Sequence, residues 1–149
     1  ICSLPVREVA ATDCSLFLWA TAPKLGEAFE VLNAWGFRYS TMAFVWAKQN
    51  PSGIGFRCGM GYWTRSATEF CLLGIRGRPK RVSKRVRQLV VEPIAGHSTK
   101  PGEVHRRIVE LCGDLPRLEM FARERVPGWD AIGDGVDGCD IRESLCALI

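Results

Sequence analysis

Apolar and polar positions along the chain switch between two periods, and the switches divide it into alternating strand and helix candidates. Leu4 to Ala11 is amphipathic, and Ser3, with Pro5 two positions on, is placed to cap and open a short helix there. Ser15 to Ala20 is a continuous apolar run of strand length, the pattern of a strand covered on both faces. Pro23 opens a segment in which Leu25, Ala28, Phe29, Leu32 and Trp35 recur at helical spacing, and Gly36 stops it where a left-handed cap is wanted. Phe37 to Lys48, rich in aromatic and β-branched residues and followed by Asn50-Pro51, predicts a second strand. A loop with glycines at 53, 55, 59 and 61 leads to a third strand, Glu69 to Ile75, and Gln88 to Glu92 is a short fourth. Lys100 to Leu111 reads as a helix begun by Pro101, Leu118 to Ala122 as a fifth strand and Trp129 to Ile132 as a sixth. Alternation of this kind predicts an α/β domain whose sheet is mostly parallel with helices on both faces. The Gly-rich stretch Gly133 to Gly138 reads as mobile, and residues 136–149 as an irregular tail.

Composition narrows this picture. At 149 residues, 47% of them hydrophobic, the chain can bury one sizeable core and is too short to expect two, so residues 1–149 form a single domain. Its abrupt opening on Ile1, with no preamble before Leu4, gives the expectation of an amino-terminally incomplete domain. No apolar run approaches the roughly 18 residues that span a bilayer, and no basic n-region or cleavage site precedes the first helix, so a cytoplasmic protein is expected. The seven cysteines are odd in number, form no Cys-x-x-Cys pair and stand apart from the two histidines. They read as single thiols in a reducing compartment, Cys14 and Cys71 inside apolar runs, with no metal site.

Charge is distributed unevenly. The net charge is +4, yet Arg76 to Arg87 alone holds seven basic residues and no acidic one, which leaves the rest of the chain net negative. Gly77 and Pro79 within that run predict a flexible loop over residues 76–87, suited to a phosphate backbone through Arg78, Lys80, Arg81, Lys84 and Arg85, or else simply solvated. The glycine loop is either a mobile active-site loop or a plain connection, since it lacks the Lys-Ser/Thr of a phosphate-binding loop. Lys100 at a helix start offers a point charge to a carboxylate or phosphate, the alternative being structural capping by Ser98 or Thr99. Arg65 and Glu69 flank the beginning of a strand, where either a ligand crevice or a surface ion pair would use them.

Several segments together, in order, carry a resemblance: Leu4-Pro5-Val6, Leu16 to Pro23, Ala34 to Phe37, Phe44 to Lys48, Gly61 to Arg65, Glu69 to Gly74, His97 to Pro101, Leu118 to Arg123 and Pro127-Gly128-Trp129. The chain resembles the adenine N(6)-methyltransferases, the family of the mRNA adenosine methyltransferase catalytic subunit and of bacterial and phage relatives that act on DNA. The resemblance implies a Rossmann-like fold with the catalytic strand preceding the cofactor strand, and S-adenosylmethionine-dependent methylation of the adenine exocyclic amine in nucleic acid, DNA favoured over RNA. By position it makes Glu69 and Lys100 catalytic and sets Lys100, Phe121, Arg123 and Asp134 around the cofactor; Arg65, at the crevice, joins the expected nucleic-acid contacts. Asp134 stands where the family usually has Asn, so it accepts hydrogen bonds from a ribose but donates none. The family's Asp-Pro-Pro-Trp is absent; none of the eight prolines is adjacent to another. The chain alone is therefore expected to be inactive. A non-catalytic nucleic-acid-binding subunit of a methyltransferase complex is the alternative, and the family's habit of pairing allows a homo- or heterodimer.

Overall fold

A computed structural model of the chain describes residues 1–95 and 99–149; His97 and Ser98, the latter a candidate cap, lie outside the described residues. The elements are helix α1 (Val6–Val9), strand β1 (Cys14–Ala20), a 3-10 turn (Ala22–Lys24), helix α2 (Leu25–Ala34), strands β2 (Arg38–Gln49), β3 (Thr68–Arg76) and β4 (Leu89–Pro93), helix α3 (Gly102–Cys112), strands β5 (Leu118–Met120) and β6 (Asp130–Ile132), and helix α4 (Ile141–Cys146).

Helix α2 ends as its residues dictate. Gly36 takes φ 81, Phe37 N–H bonds to the Leu32 carbonyl, and Gly36 N–H bonds to that of Asn33, which satisfies carbonyls the helix would otherwise leave open. Leu32 and Phe37 are both buried, closing the apolar contact of that cap. The first helix departs from expectation: Pro5, not Ser3, holds its N-cap, and the Ser3 hydroxyl accepts from Arg142 Nη2 at 2.7 Å instead. Helix α3 likewise has Pro101 at its N-cap and no side-chain cap, so Thr99 does not cap it.

The expected mostly parallel sheet is corrected. Four strands run in the order β1-β3-β2-β4, with β3 antiparallel to both β1 and β2 and only β2–β4 parallel. The reason lies between Asn50 and Ala67, where the chain contains no helix to carry a crossover; β3 returns beside β2 as its antiparallel neighbour. Strands β5 and β6 form a separate parallel pair.

Adjacent residues of the central strand β3 face opposite layers. Leu72 packs with Ala28, Leu32, Trp35 and Phe37 from the α2 side, while Cys71 packs with Phe44, Trp46, Val90 and with Val104 and Ile108 of α3. Helices therefore cover both faces. Gly74 lets α2 press onto the sheet, since a Cβ there would meet the Leu32 side chain at 2.6 Å.

Residues 136–149, expected to be irregular, contain α4. Asp140 caps it by accepting from Arg142 N–H at 2.8 Å, and Leu145 is fully buried in the α2-side core. No helix among the described residues is long and apolar enough to cross a membrane.

Candidate functional site

Glu69 is the second residue of β3 and lies on the same face as Cys71, under α3. It is 8% exposed, the one charged residue in the buried set among the described residues. Burying a carboxylate is costly unless it is paired and hydrogen-bonded, and here both oxygens are: Lys48 Nζ donates to Oε1 at 2.5 Å and Lys100 Nζ to Oε2 at 2.6 Å. Lys48 comes from the end of β2. The register sets Trp46 opposite Glu69, so Lys48, two residues on and on the same face, reaches it diagonally. Lys100 comes from the segment leading into α3.

Two indoles complete the wall. Trp19 of β1 and Trp46 meet edge to face at 6.5 Å, Lys100 Nζ lies 5.7 Å from the Trp19 ring and Lys48 Nζ 5.2 Å from that of Trp46, and Trp46 Nε1 donates to the Glu92 carbonyl at 2.9 Å. Burial pushes the Glu69 carboxyl up, but the hydrogen bonds and charges of Lys100 and Lys48 outweigh it and hold the group below the ordinary carboxylate range. A carboxylate so stabilised is a weak base. Chemically it is a fixed hydrogen-bond acceptor, with lone pairs left beyond the two the lysines use, flanked by ammoniums that keep N–H groups to donate.

Beside this triad a cavity of about 260 Å³ is lined by Trp46, Glu92, Thr99, Lys100, Gly102, His105, Glu124 and Val126. It brings together the end of β4, the start of α3, which has no side-chain cap among the described residues and whose leading amides favour an anion, and the segment after β5. His105 Nε2 lies 3.0 Å from Glu119 Oε2, and the His105 ring meets that of Trp129 edge to face at 4.9 Å, tying α3 to the β5–β6 pair.

The other expected cofactor residues gather at the carboxyl ends of β5 and β6, where open α/β sheets hold ligands. Phe121, directly after β5, takes φ 58 with its ring half exposed. Directly after β6, Gly133 packs so closely on that turn that a Cβ would stand 3.0 Å from Phe121 Cα and Ala122 N. Asp134 and Arg123 are exposed beside it. Asp137 braces the turn: it accepts from Cys139 N–H at 3.0 Å, Ser144 Oγ at 2.8 Å and Gly133 N–H at 3.4 Å, and the first two bonds above all hold its carboxyl low.

Arg65 is exposed and makes no ion pair among the described residues, so the surface pair Arg65–Glu69 is replaced by the buried lysine triad. In the basic segment, Arg76 is structural, its Nη1 donating to the carbonyls of Arg7 at 2.6 Å and Ala10 at 3.1 Å. The backbone beyond it is pinned to α3: Val82 N–H bonds to the Leu111 carbonyl at 2.8 Å, and Arg107 Nη1 donates to the carbonyls of Arg87 and Leu89. Arg78, Lys80, Arg81, Lys84 and Arg85 are exposed, with no ion pairs among the described residues. Sequence reasoning gave no role to Lys48, Trp19 or Trp46. The available signal was a lysine two positions after Trp46 at the end of an apolar strand, a charge on what must be a buried face.

Comparison with known proteins adds a family. The family model described as MT-A70 matches residues 1–135. The Type II methyltransferase M.MunI of Mycoplasma sp is 37% identical over 134 residues, which cover 87% of this chain and 54% of that protein. The N(6)-adenosine-methyltransferase catalytic subunit METTL3 of Homo sapiens is 30% identical over 134 residues, 87% of this chain and 23% of METTL3. The N(6)-adenosine-methyltransferase MT-A70-like of Arabidopsis thaliana is 29% identical over 130 residues, 85% and 19% of the two chains. The chain spans about half the length of M.MunI and less than a quarter of the other two.

Proposed function

This chain belongs to the MT-A70 family, and from that premise we propose that it forms the base-positioning and cofactor-holding part of an S-adenosylmethionine-dependent methyltransferase. Its target is the exocyclic amine of adenine in nucleic acid, DNA before RNA. The observation that carries the reading is Glu69: a buried, ionised carboxylate fixed between two lysines beside a cavity that ends at the start of α3.

Such a carboxylate suits a base edge, which offers N–H donors, and its low basicity gives it a holding role rather than that of a proton acceptor. Lys100 bridges Glu69 and the cavity, the place where target and cofactor meet. Around the cofactor, Phe121 offers an exposed ring, Asp134 accepts from ribose hydroxyls, and Arg123 borders them. The close Gly133 turn, which a Cβ would fill, supports this fit, because it leaves Phe121 and Asp134 open at the ends of two parallel strands. S-adenosylmethionine supplies an electrophilic methyl group on a sulfonium. Adenine's amine lone pair is delocalised into the ring, so attack requires acceptors for the amine hydrogens beyond what a lysine-bound Glu69 provides. That is the office of Asp-Pro-Pro-Trp in the family, and these 149 residues lack the tetrapeptide, so transfer requires it from outside them. Arg65, Arg78, Lys80, Arg81, Lys84 and Arg85 hold the phosphate backbone without regard to sequence.

Calorimetric titration of S-adenosylmethionine into the chain tests the reading. Micromolar binding is expected, weakened about tenfold or more in Lys100→Ala, the loss of one charge-assisted hydrogen bond. A chain that binds nucleic acid but no cofactor would give the lead to the non-catalytic subunit. Fusing an Asp-Pro-Pro-Trp strand ahead of Ile1 should yield methyl transfer to adenine in DNA, abolished by Glu69→Ala.

A further inference from the structure

The loop between β2 and β3 displays a row of large apolar side chains to water: Ile54, Phe56, Met60, Tyr62 and Trp63, the last three 97%, 89% and 99% exposed. Five large apolar side chains exposed within one short loop mark a binding surface. The display is built, not slack. Arg57 N–H bonds to the Lys48 carbonyl at 2.8 Å, Gly59 N–H to that of Ser66 at 2.7 Å and Lys48 N–H to that of Ala67 at 2.8 Å, which clamps the two stems together. At the tip the chain doubles back so tightly that a Cβ on Gly61 would stand 1.6 Å from the Thr64 carbonyl oxygen, so only glycine fits and Tyr62 and Trp63 are thrust outward. The stems join the sheet at the triad itself, directly after Lys48 on one side and directly before Glu69 on the other.

Charge identifies the occupant. From Pro51 to Gln88 there are nine lysines and arginines and a single carboxylate, Glu69, which two lysines already neutralise. A second copy docked with this same face against its counterpart would set like charges against each other, whereas a polyanion with flat apolar faces satisfies both the arginines and the rings. We propose that the β2–β3 loop is a base-stacking platform for unpaired nucleic acid. Tyr62 and Trp63 take bases on their faces, Arg57 and Arg65 take the adjoining phosphates, and the protein engages single or locally opened strands ahead of closed duplex. The inference rests on the reading that nucleic acid is the substrate and specifies the form in which it is held.

The test is fluorescence anisotropy of the full chain with a dye-labelled thymidine-only oligonucleotide, single-stranded or annealed to its complement, over a range of salt. The probe strand carries no adenine, so its binding is independent of methylation. The chain is expected to prefer the single strand. Tyr62→Ala with Trp63→Ala, both solvent-exposed positions, is expected to weaken single-strand binding at least about tenfold through lost stacking, with duplex affinity and salt slope unchanged; Trp63→Phe should keep most of it. Single-strand affinity untouched by the double substitution overturns the platform, and so does an equal loss on duplex. A change of sedimentation from dimer to monomer without loss of single-strand binding overturns it too, and assigns the loop to a protein partner. Should the chain bind S-adenosylmethionine while the double variant binds the single strand normally, the platform alone falls. Should it bind no nucleic acid at all, the substrate reading falls with it.

Discussion

Replacing Glu69 by glutamine removes the anion and leaves two ammoniums facing one amide, whose oxygen can serve one lysine while its NH2 confronts the other. Breaking a buried ion pair by deleting one partner costs about 3–5 kcal/mol. The lysine side chains, 25% and 28% exposed, can turn partly to water, which lowers the expectation to about 2–3 kcal/mol. Lys100→Met keeps the apolar stem and leaves Glu69 bound to Lys48, a loss of about 1.5 kcal/mol, the lower end for a hydrogen bond to a charged group. At this chain length the two variants should melt about 6–9 °C and about 4–5 °C below the parent. Urea unfolding followed by tryptophan fluorescence is a direct assay, because Trp19 and Trp46 lie against the triad.

The pH dependence gives a second axis to that prediction. The folded pKa of Glu69 lies below its ordinary value of 4.5. Its contribution is therefore fully present above that value and is lost as pH falls through the folded pKa. The gap between parent and Glu69→Gln should accordingly close on acidification. Equal costs for Glu69→Gln and Lys100→Met at neutral pH, or a gap that persists in acid, would refute the claim that the triad is held by an ionised carboxylate.

Other perturbations probe the remaining parts. Leu145→Ala, which empties a fully buried position, should cost about 2–5 kcal/mol in the same unfolding assay; a negligible effect would show that α4 is not part of the core. Gly133→Ala forces a Cβ against the Phe121–Ala122 turn at φ 142, with an expected cost on the order of 1–3 kcal/mol and a parallel loss of S-adenosylmethionine affinity by calorimetry. If stability falls and affinity does not, the turn is structural only. Replacing Lys80, Arg81, Lys84 and Arg85 together by alanine should flatten the salt dependence of duplex binding, by about 0.9 in log-log slope for each phosphate contact removed. An unchanged slope would make the segment merely solvated.

Local patterns in the sequence are legible where local physics decides the outcome. Helix α2 is read correctly because its apolar period and its Gly36 stop are both short-range, and the stop is completed by bonds within five residues. Helix α4 escapes because six residues offer only Ile141 and Leu145 at helical spacing, too short a stretch for a period to emerge. The tail is ordered by Leu145 entering a core built from Val6, Leu32 and Leu72, far away in the chain.

Sheet direction and the triad escape local patterns together. Continuous apolar runs reveal that a strand is covered on both faces but not which way its neighbour runs, and the alternation rule supplied the wrong direction for β3. The glycine-rich loop carried the better signal, since without a helix it permits only a hairpin-like return. In such a return the last residues of one strand lie beside the first residues of the next. Lys48, closing the run Phe44 to Ala47, and Glu69, opening the run Phe70 to Leu73, are then opposite charges at adjoining strand ends and must meet. In the sequence Glu69 has two readings, a ligand crevice or a surface pair with Arg65 four residues away, and neither brings a lysine to it. Its partners lie 21 and 31 residues off. One of them follows from the antiparallel register, and the other requires the packing of α3 over the sheet, which depends on tertiary contacts that the segment around Lys100 does not encode.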